Sequence, residues 1–69
     1  MNMILYDEVV CLRKEEHMLI TVGKKYVIDS INTEFIRIKN DKGIYNIYPD
    51  FYFTTIADYR NMLIEEILE

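Results

Sequence analysis

The clearest alternation of apolar and polar residues in the chain lies in residues 34–39. Ile36 and Ile38 are separated by Arg37, and Lys39 continues the alternation. This period of two is typical of a strand that buries one face, because successive side chains of a strand point to opposite sides. The pattern therefore predicts a strand with both isoleucines turned inward and both basic residues turned outward.

Three further segments indicate strands around this one. Residues 8–13 form a short β-branched and apolar run closed by charges, and residues 24–31 and 44–48 are also rich in Val, Ile and Tyr. The Asn-Asp-Lys-Gly sequence at 40–43 predicts a hairpin, because Asn and Asp start tight turns and Gly supplies a positive φ. Pro49 ends the returning strand, since it cannot donate to a ladder.

The C-terminal residues change from strand formers to helix formers. Thr55 is the predicted N-cap, and Asp58 follows three residues later as in a capping box. Apolar residues recur at spacings of three, four and four, at Ile56, Tyr59, Leu63 and Ile67. This period predicts an amphipathic helix of about thirteen residues. We expect one domain over residues 1–69, with strands in about 4–53 and a helix in about 55–68.

Composition restricts the class of protein. The 69 residues suit a single small core, and the 51% apolar composition is typical of a folded domain. The chain has one Cys and so no internal disulfide, which favours a reducing compartment. No apolar run reaches the roughly 18 residues that a membrane span needs. We therefore expect a cytoplasmic protein without a membrane partner.

The net charge of −4 is concentrated at one end of the chain. Seven acidic and seven basic residues balance one another in residues 1–49. Residues 50–69 carry five acidic residues and one basic residue. The sequence thus predicts a neutral sheet that carries an acidic helix.

The order of these pieces resembles that of the small SH3-like barrels. The matching pieces are Leu19–Ile28, Phe35–Gly43 and Tyr48–Phe53, the last with a Pro-x-x-aromatic turn before a terminal strand. The chain is also similar to short proteins of Gram-positive bacteria and their phages, which often append a helix. The resemblance implies a mainly β (α+β) fold, a partly open barrel of four or five antiparallel strands with a C-terminal amphipathic helix. It does not imply polyproline binding, because the chain has no Trp.

No arrangement of residues in the sequence predicts catalysis. His17 follows two Glu residues, but a metal site needs further ligands at defined spacing. Cys11 lies between Val10 and Leu12, which favours a core position. Phosphate-binding glycine loops and nucleophile triads are absent from the sequence. We expect no enzyme, no catalytic residue, no cofactor and no metal.

The sequence favours a protein partner. Acidic residues at a helix C-terminus are disfavoured by the helix dipole, so a partner would give them a purpose. The resemblance adds the hypothesis of a phage or mobile-element protein that occludes a host or defence protein. The predicted contacts are Tyr48, Phe51, Tyr52, Asp58, Glu65 and Glu66.

Two alternatives stay open. Basic residues interleaved with tyrosines could converge on one face of the sheet and bind nucleic acid. The residues predicted for that role are Arg37, Lys39 and Lys42. The other alternative is self-association as a homodimer, because a chain this small with surplus apolar residues gains burial from a second copy.

Overall fold

The computed structural model describes residues 3–68, and the side chains of residues 3–63. The elements are five strands, one 3₁₀ turn (η1) and one helix: β1 Glu8–Cys11, β2 Lys25–Ile31, β3 Phe35–Lys39, β4 Tyr45–Pro49, η1 Asp50–Tyr52, β5 Phe53–Thr55 and α1 Ile56–Leu68. In these residues no helix is long and apolar enough to cross a membrane.

The strands form one antiparallel sheet in the order β4-β3-β2-β1-β5. Strands β1 to β4 pair in chain order, and β5 returns to the free side of β1. The sheet is open, with β4 and β5 as its two edges. The protein is thus a small α+β domain, and the predicted antiparallel strands and C-terminal helix are confirmed.

Asn40 organises the turn between β3 and β4. Its Oδ1 accepts the backbone N–H of Lys42 at 2.9 Å and that of Ile44 at 3.1 Å. The N–H of Gly43 donates to the Asn40 carbonyl at 2.9 Å, and Gly43 has a φ of 78°. A residue with a Cβ is strained at that φ, so Gly is favoured there. The predicted hairpin is confirmed.

The core lies on one face of the sheet. Ile36 and Ile38 are buried there, whereas Arg37 and Lys39 are exposed, so the predicted facing of β3 is confirmed. The buried cluster contains Val9, Cys11, Ile20, Tyr26, Ile28, Ile36, Ile38, Tyr48, Tyr52 and Phe53. This one-sided burial leaves the other side of β2, β3 and β4 to solvent.

The helix packs on the opposite face of the sheet, mainly against β1 and β5. Val10 and Thr54 are register partners on that face, and both are buried although they lie outside the core cluster. Thr55 Oγ1 accepts the backbone N–H of Asp58 at 3.2 Å, which confirms the predicted N-cap. Further along α1, Leu63 is exposed.

Candidate binding groove on the outer face of the sheet

The exposed face of β2, β3 and β4 brings basic and aromatic side chains together. Lys25 and Val27 point outward from β2 because Tyr26 and Ile28 point into the core. On the neighbouring strands, Lys39 of β3 is the register partner of Tyr45 in β4. Register partners on one face of an antiparallel pair lie close enough to interact, so these residues share one surface.

This surface contains a groove of about 430 Å³. We call it the basic groove and define it by the residues that line it: Tyr6, Lys24, Lys25, Tyr26, Val27, Asp29, Lys39 and Tyr45. Three lysines and one aspartate give it a positive formal charge in a protein whose net charge is −4. The groove therefore differs in sign from the chain as a whole.

Tyr6 forms one wall of the groove and is held in an unusual conformation. Its φ is 68°, the one positive φ among the non-glycine residues that the structure describes. Its N–H donates to the Ile28 carbonyl at 2.8 Å, and Ile28 N–H donates to the Asp7 carbonyl at 3.0 Å. The side chain is nevertheless 72% exposed. The sheet thus fixes the backbone of a tyrosine whose ring remains available to a ligand.

Tyr45 is the aromatic residue on which two cations converge. The Arg37 guanidinium carbon and the Lys39 Nζ each lie 5.9 Å from the centroid of its ring. The ring faces of aromatic residues attract cations at such distances. The structure thus places Arg37 and Lys39, two of the three residues of the nucleic-acid hypothesis, beside the same ring.

Two of the cations near the groove are already engaged by carboxylates. Arg37 forms an ion pair with Asp29, with Nε donating to Oδ2 at 2.7 Å. Asp29 reaches it from a bulge, because the register between β2 and β3 shifts by one residue there. Lys24 Nζ donates to Asp41 Oδ1 at 2.7 Å. Lys25 and Lys39 form no ion pair with any of the described side chains.

Asp41 links the groove to the turn after β3. Its carboxylate accepts hydrogen bonds from Lys24, from the Thr21 hydroxyl at 2.6 Å and from the Tyr26 hydroxyl at 2.8 Å. These three donors, with Lys24 the strongest, lower the pKa of Asp41 to about 2. Burial, together with the nearby Asp41 carboxylate, raises the pKa of Tyr26 to about 12. Across the physiological pH range Asp41 therefore stays anionic and Tyr26 stays neutral.

The predicted aromatic contacts are separated by the fold. Tyr48 and Tyr52 are only 5% and 8% exposed, and both belong to the core, where Tyr48 packs edge-on against Phe53. The Tyr52 hydroxyl donates to Glu15 Oε1 at 3.2 Å. Phe51 is 53% exposed and stacks on the Tyr52 ring at 4.5 Å. Of the three aromatics, Phe51 alone presents a large surface to a partner.

The predicted acidic contacts lie on α1. Asp58 is exposed in the first turn of the helix. Glu65 and Glu66 fall on the helix, but their side chains lie outside the described residues. The remaining residue of the nucleic-acid hypothesis, Lys42, is exposed in the turn after β3 and does not line the groove.

Cys11 and His17 are the two remaining residues that the sequence analysis considered for chemistry. Cys11 is fully buried, and burial raises the pKa of its thiol. His17 is exposed in the loop after β1. In residues 3–68 no group of three His, Cys, Asp or Glu side chains could hold a metal ion.

Lys39 is the one groove residue among the predicted site residues, and the others, such as Tyr6 and Val27, were not singled out. No local pattern marks them, because the groove forms only when β2 brings them next to β3 and β4. No protein-family model, curated protein or solved structure matches the chain. The function therefore has to be argued from these surfaces.

Proposed function

We propose that the protein is a small, cytoplasmic, non-enzymatic module that binds another protein and occludes it. The observation that carries the proposal is a group of exposed apolar side chains at one end of β3. Ile31, Phe35 and Ile47 line one shallow cavity at the end of β3 away from the basic groove, and each is at least 39% exposed. Apolar residues grouped on a surface are typical of protein interfaces.

The proposed architecture is an SH3-like, partly open barrel. The strand order supports it, since β5 returns to β1 after a meander of four strands. The 3₁₀ turn η1, which directly precedes β5, also supports it. Such a scaffold carries binding sites of many kinds, so the architecture alone does not select the partner.

The proposed biological setting is a phage or mobile element, with a host or defence protein as the target. It rests on the resemblance of the chain to small proteins of Gram-positive bacteria and their phages. In that setting occlusion requires only a complementary surface, which a domain of this size provides.

Nucleic-acid binding is the second candidate function. The convergence of Arg37 and Lys39 on the ring of Tyr45 supports it, because a base can stack on the ring while cations contact phosphate. The carboxylates of Asp29 and Asp41 weigh against it, since they neutralise Arg37 and Lys24. Binding to single strands would also have to overcome the repulsion of a chain with net charge −4.

A capture experiment with paired variants tests the proposed function. Ile47→Ser removes an apolar side chain that is 59% exposed on the sheet face, and Val22→Ser is a matched control at 55% exposure outside that cavity. We expect one bacterial protein to be retained by the wild-type chain and the control and to be lost with Ile47→Ser. Retention of nucleic acid alone, or equal retention by both variants, would overturn the proposal.

A further inference from the structure

We propose that the basic groove binds an acidic, extended segment of the partner protein, in which the side chains on one face are in turn a carboxylate, an apolar group and a carboxylate. The inference rests on the proposed function and names the chemistry that the partner supplies. It is carried by the positions of three residues that point out of the sheet: Lys25, Val27 and Lys39.

These three residues form a pattern of charge, apolar surface and charge. Lys25 and Val27 lie two residues apart on the exposed face of β2. The pairing of Ile28 with Ile38 places Val27 opposite Lys39, one residue along the register. Lys25 and Val27 thus follow one another along β2, and Lys39 lies beside Val27 on the neighbouring strand. A ligand on this face meets two ammonium groups with an isopropyl group between them.

The charge of the groove selects an anionic ligand. Lys24 has a carboxylate partner in Asp41, whereas Lys25 and Lys39 lack an ion-pair partner among the described side chains. Within residues 3–63, therefore, neither lysine has a carboxylate partner that an incoming carboxylate would have to displace. Opposite charges across an interface speed association and select the partner.

A polypeptide suits this groove better than a nucleic acid does. Nucleic-acid affinity comes largely from many phosphate contacts, and the groove offers two ammonium groups that form no ion pair with the described side chains. The carboxylate of Asp29 also lies in the groove and would face a continuous phosphate backbone. A peptide can space its carboxylates to meet the two lysines and place an apolar side chain on Val27.

Tyr6 and Tyr45 provide the walls for those apolar side chains. Both rings are more than half exposed, and both belong to the groove. The backbone of Tyr6 is held at a positive φ by hydrogen bonding to β2. Backbone conformations of this kind cost energy and cluster at ligand-binding positions. The wall is thus formed before the ligand arrives, which reduces the ordering cost of binding.

The test measures binding of three fluorescent probes to the full chain. The first is a peptide of about nine residues with Asp at every fourth position, Leu or Phe midway between the Asp residues and Ser at the other positions, so that one face of the extended peptide carries both kinds of side chain. The second replaces each Asp with Asn, and the third is a single-stranded oligothymidine of about ten nucleotides. We expect the acidic peptide to bind most tightly and to weaken as salt is raised, because the contacts are exposed ion pairs.

Paired variants locate the site. Lys25→Gln combined with Lys39→Gln should weaken the acidic peptide about tenfold, as expected for the loss of two exposed ion pairs. Lys42→Gln, an exposed lysine outside the groove, is the matched control and should leave binding unchanged. Circular dichroism of all variants confirms that the fold is retained.

The outcomes separate this inference from the proposed function. Equal binding of the Asp and Asn peptides, or equal weakening by Lys42→Gln, would overturn the inference that the ligand is an acidic segment. Tighter binding of oligothymidine would indicate instead that the groove binds nucleic acid. Sedimentation tests whether the partner is a second copy of the chain. If the wild type is a dimer and the double lysine variant is a monomer, the acidic segment belongs to another copy of this protein. If the peptide fails while Ile47→Ser still releases the captured partner, the proposed function stands and the groove is not its site.

Discussion

The hydroxyl of Tyr26 donates a hydrogen bond to Asp41 Oδ1 at 2.8 Å and so joins the start of β2 to the turn after β3. The same hydroxyl accepts the backbone N–H of Thr21 at 2.7 Å. The ring of Tyr26 packs edge-on against Phe53 in the core. One side chain thus connects the core, the floor of the basic groove and the β3–β4 hairpin.

Asp41→Asn should destabilise the protein at neutral pH by about 1 kcal/mol, a value reduced for the exposure of its ion pair. The folded-state pKa of Asp41 is lowered to about 2 from 3.8. Its stabilisation is therefore present above about pH 4 and is lost as the pH falls through 2. Urea unfolding at pH 7 and pH 2 checks this, and the variant and the wild type should converge at pH 2. Glu16→Gln, in an exposed loop, is the control and should match the wild type at both values.

The wild-type protein should lose stability at alkaline pH because of Tyr26, and Tyr26→Phe should not show this loss. The folded-state pKa of Tyr26 is raised to about 12 from 10, so the folded state keeps its proton where the unfolded chain releases it. The wild-type unfolding free energy should then be constant below pH 10 and decrease between pH 10 and 12. The unfolding free energy of Tyr26→Phe should depend less on pH over that window. At pH 7 it should be about 1–2 kcal/mol lower than that of the wild type. A slope unchanged by Tyr26→Phe but removed by Tyr45→Phe would contradict the assignment.

Asn40→Ala should lower the unfolding free energy by about 2 kcal/mol. The side chain is buried, and its loss leaves the N–H groups of Lys42 and Ile44 without their acceptor. Asn46→Ala is the comparison, because Asn46 is exposed on the edge strand and accepts one neighbouring N–H, that of Ile47. Chemical denaturation of both should give the larger loss for Asn40. Equal losses would show that the turn does not depend on the Asn40 amide.

Phe53→Leu should cost far more stability than Phe51→Leu. Phe53 has no exposed surface and packs edge-on against Tyr26 and Tyr48, whereas Phe51 is mostly in solvent. Replacing the buried ring loses both aromatic contacts and leaves a space, at a cost of about 1–3 kcal/mol. The exposed substitution should stay within about 0.5 kcal/mol. Thermal unfolding of the two variants measures the difference, and a reversed order would place Phe51 in the core.

The sequence anticipates the elements whose causes are local. The alternation around Ile36 and Ile38, the turn at 40–43 and the cap at Thr55 each act within a few residues. Each therefore appears in the structure where the pattern predicts it. Pro49 is a small exception, since it closes β4 as the last residue of the strand. It can do so because β4 is an edge strand, where a missing N–H removes no necessary bond.

The aromatic residues near Pro49 show where local patterns stop. Alternation along a strand would turn Tyr52 away from Phe51 and Phe53, but η1 interrupts the strand at Tyr52. Phe53 is the first residue of β5, so the backbone changes from a 3₁₀ turn to a strand between Tyr52 and Phe53, and alternation does not hold across that change. Tyr52 and Phe53 are buried as a result, and Phe51 is left outside.

The sequence by itself determined the strands, the hairpin, the helix start and the division of charge between a neutral sheet and an acidic end. Only the tertiary structure decided which basic side chains form ion pairs with the described carboxylates. Arg37 meets Asp29 through a bulge, and Lys24 meets Asp41 across two loops. The pairing of β2, β3 and β4 brings together Lys25, Lys39 and Tyr45, and a hydrogen bond to β2 holds Tyr6 beside them. The reason is physical: a period fixes the face of each side chain, but register between distant strands decides its neighbours.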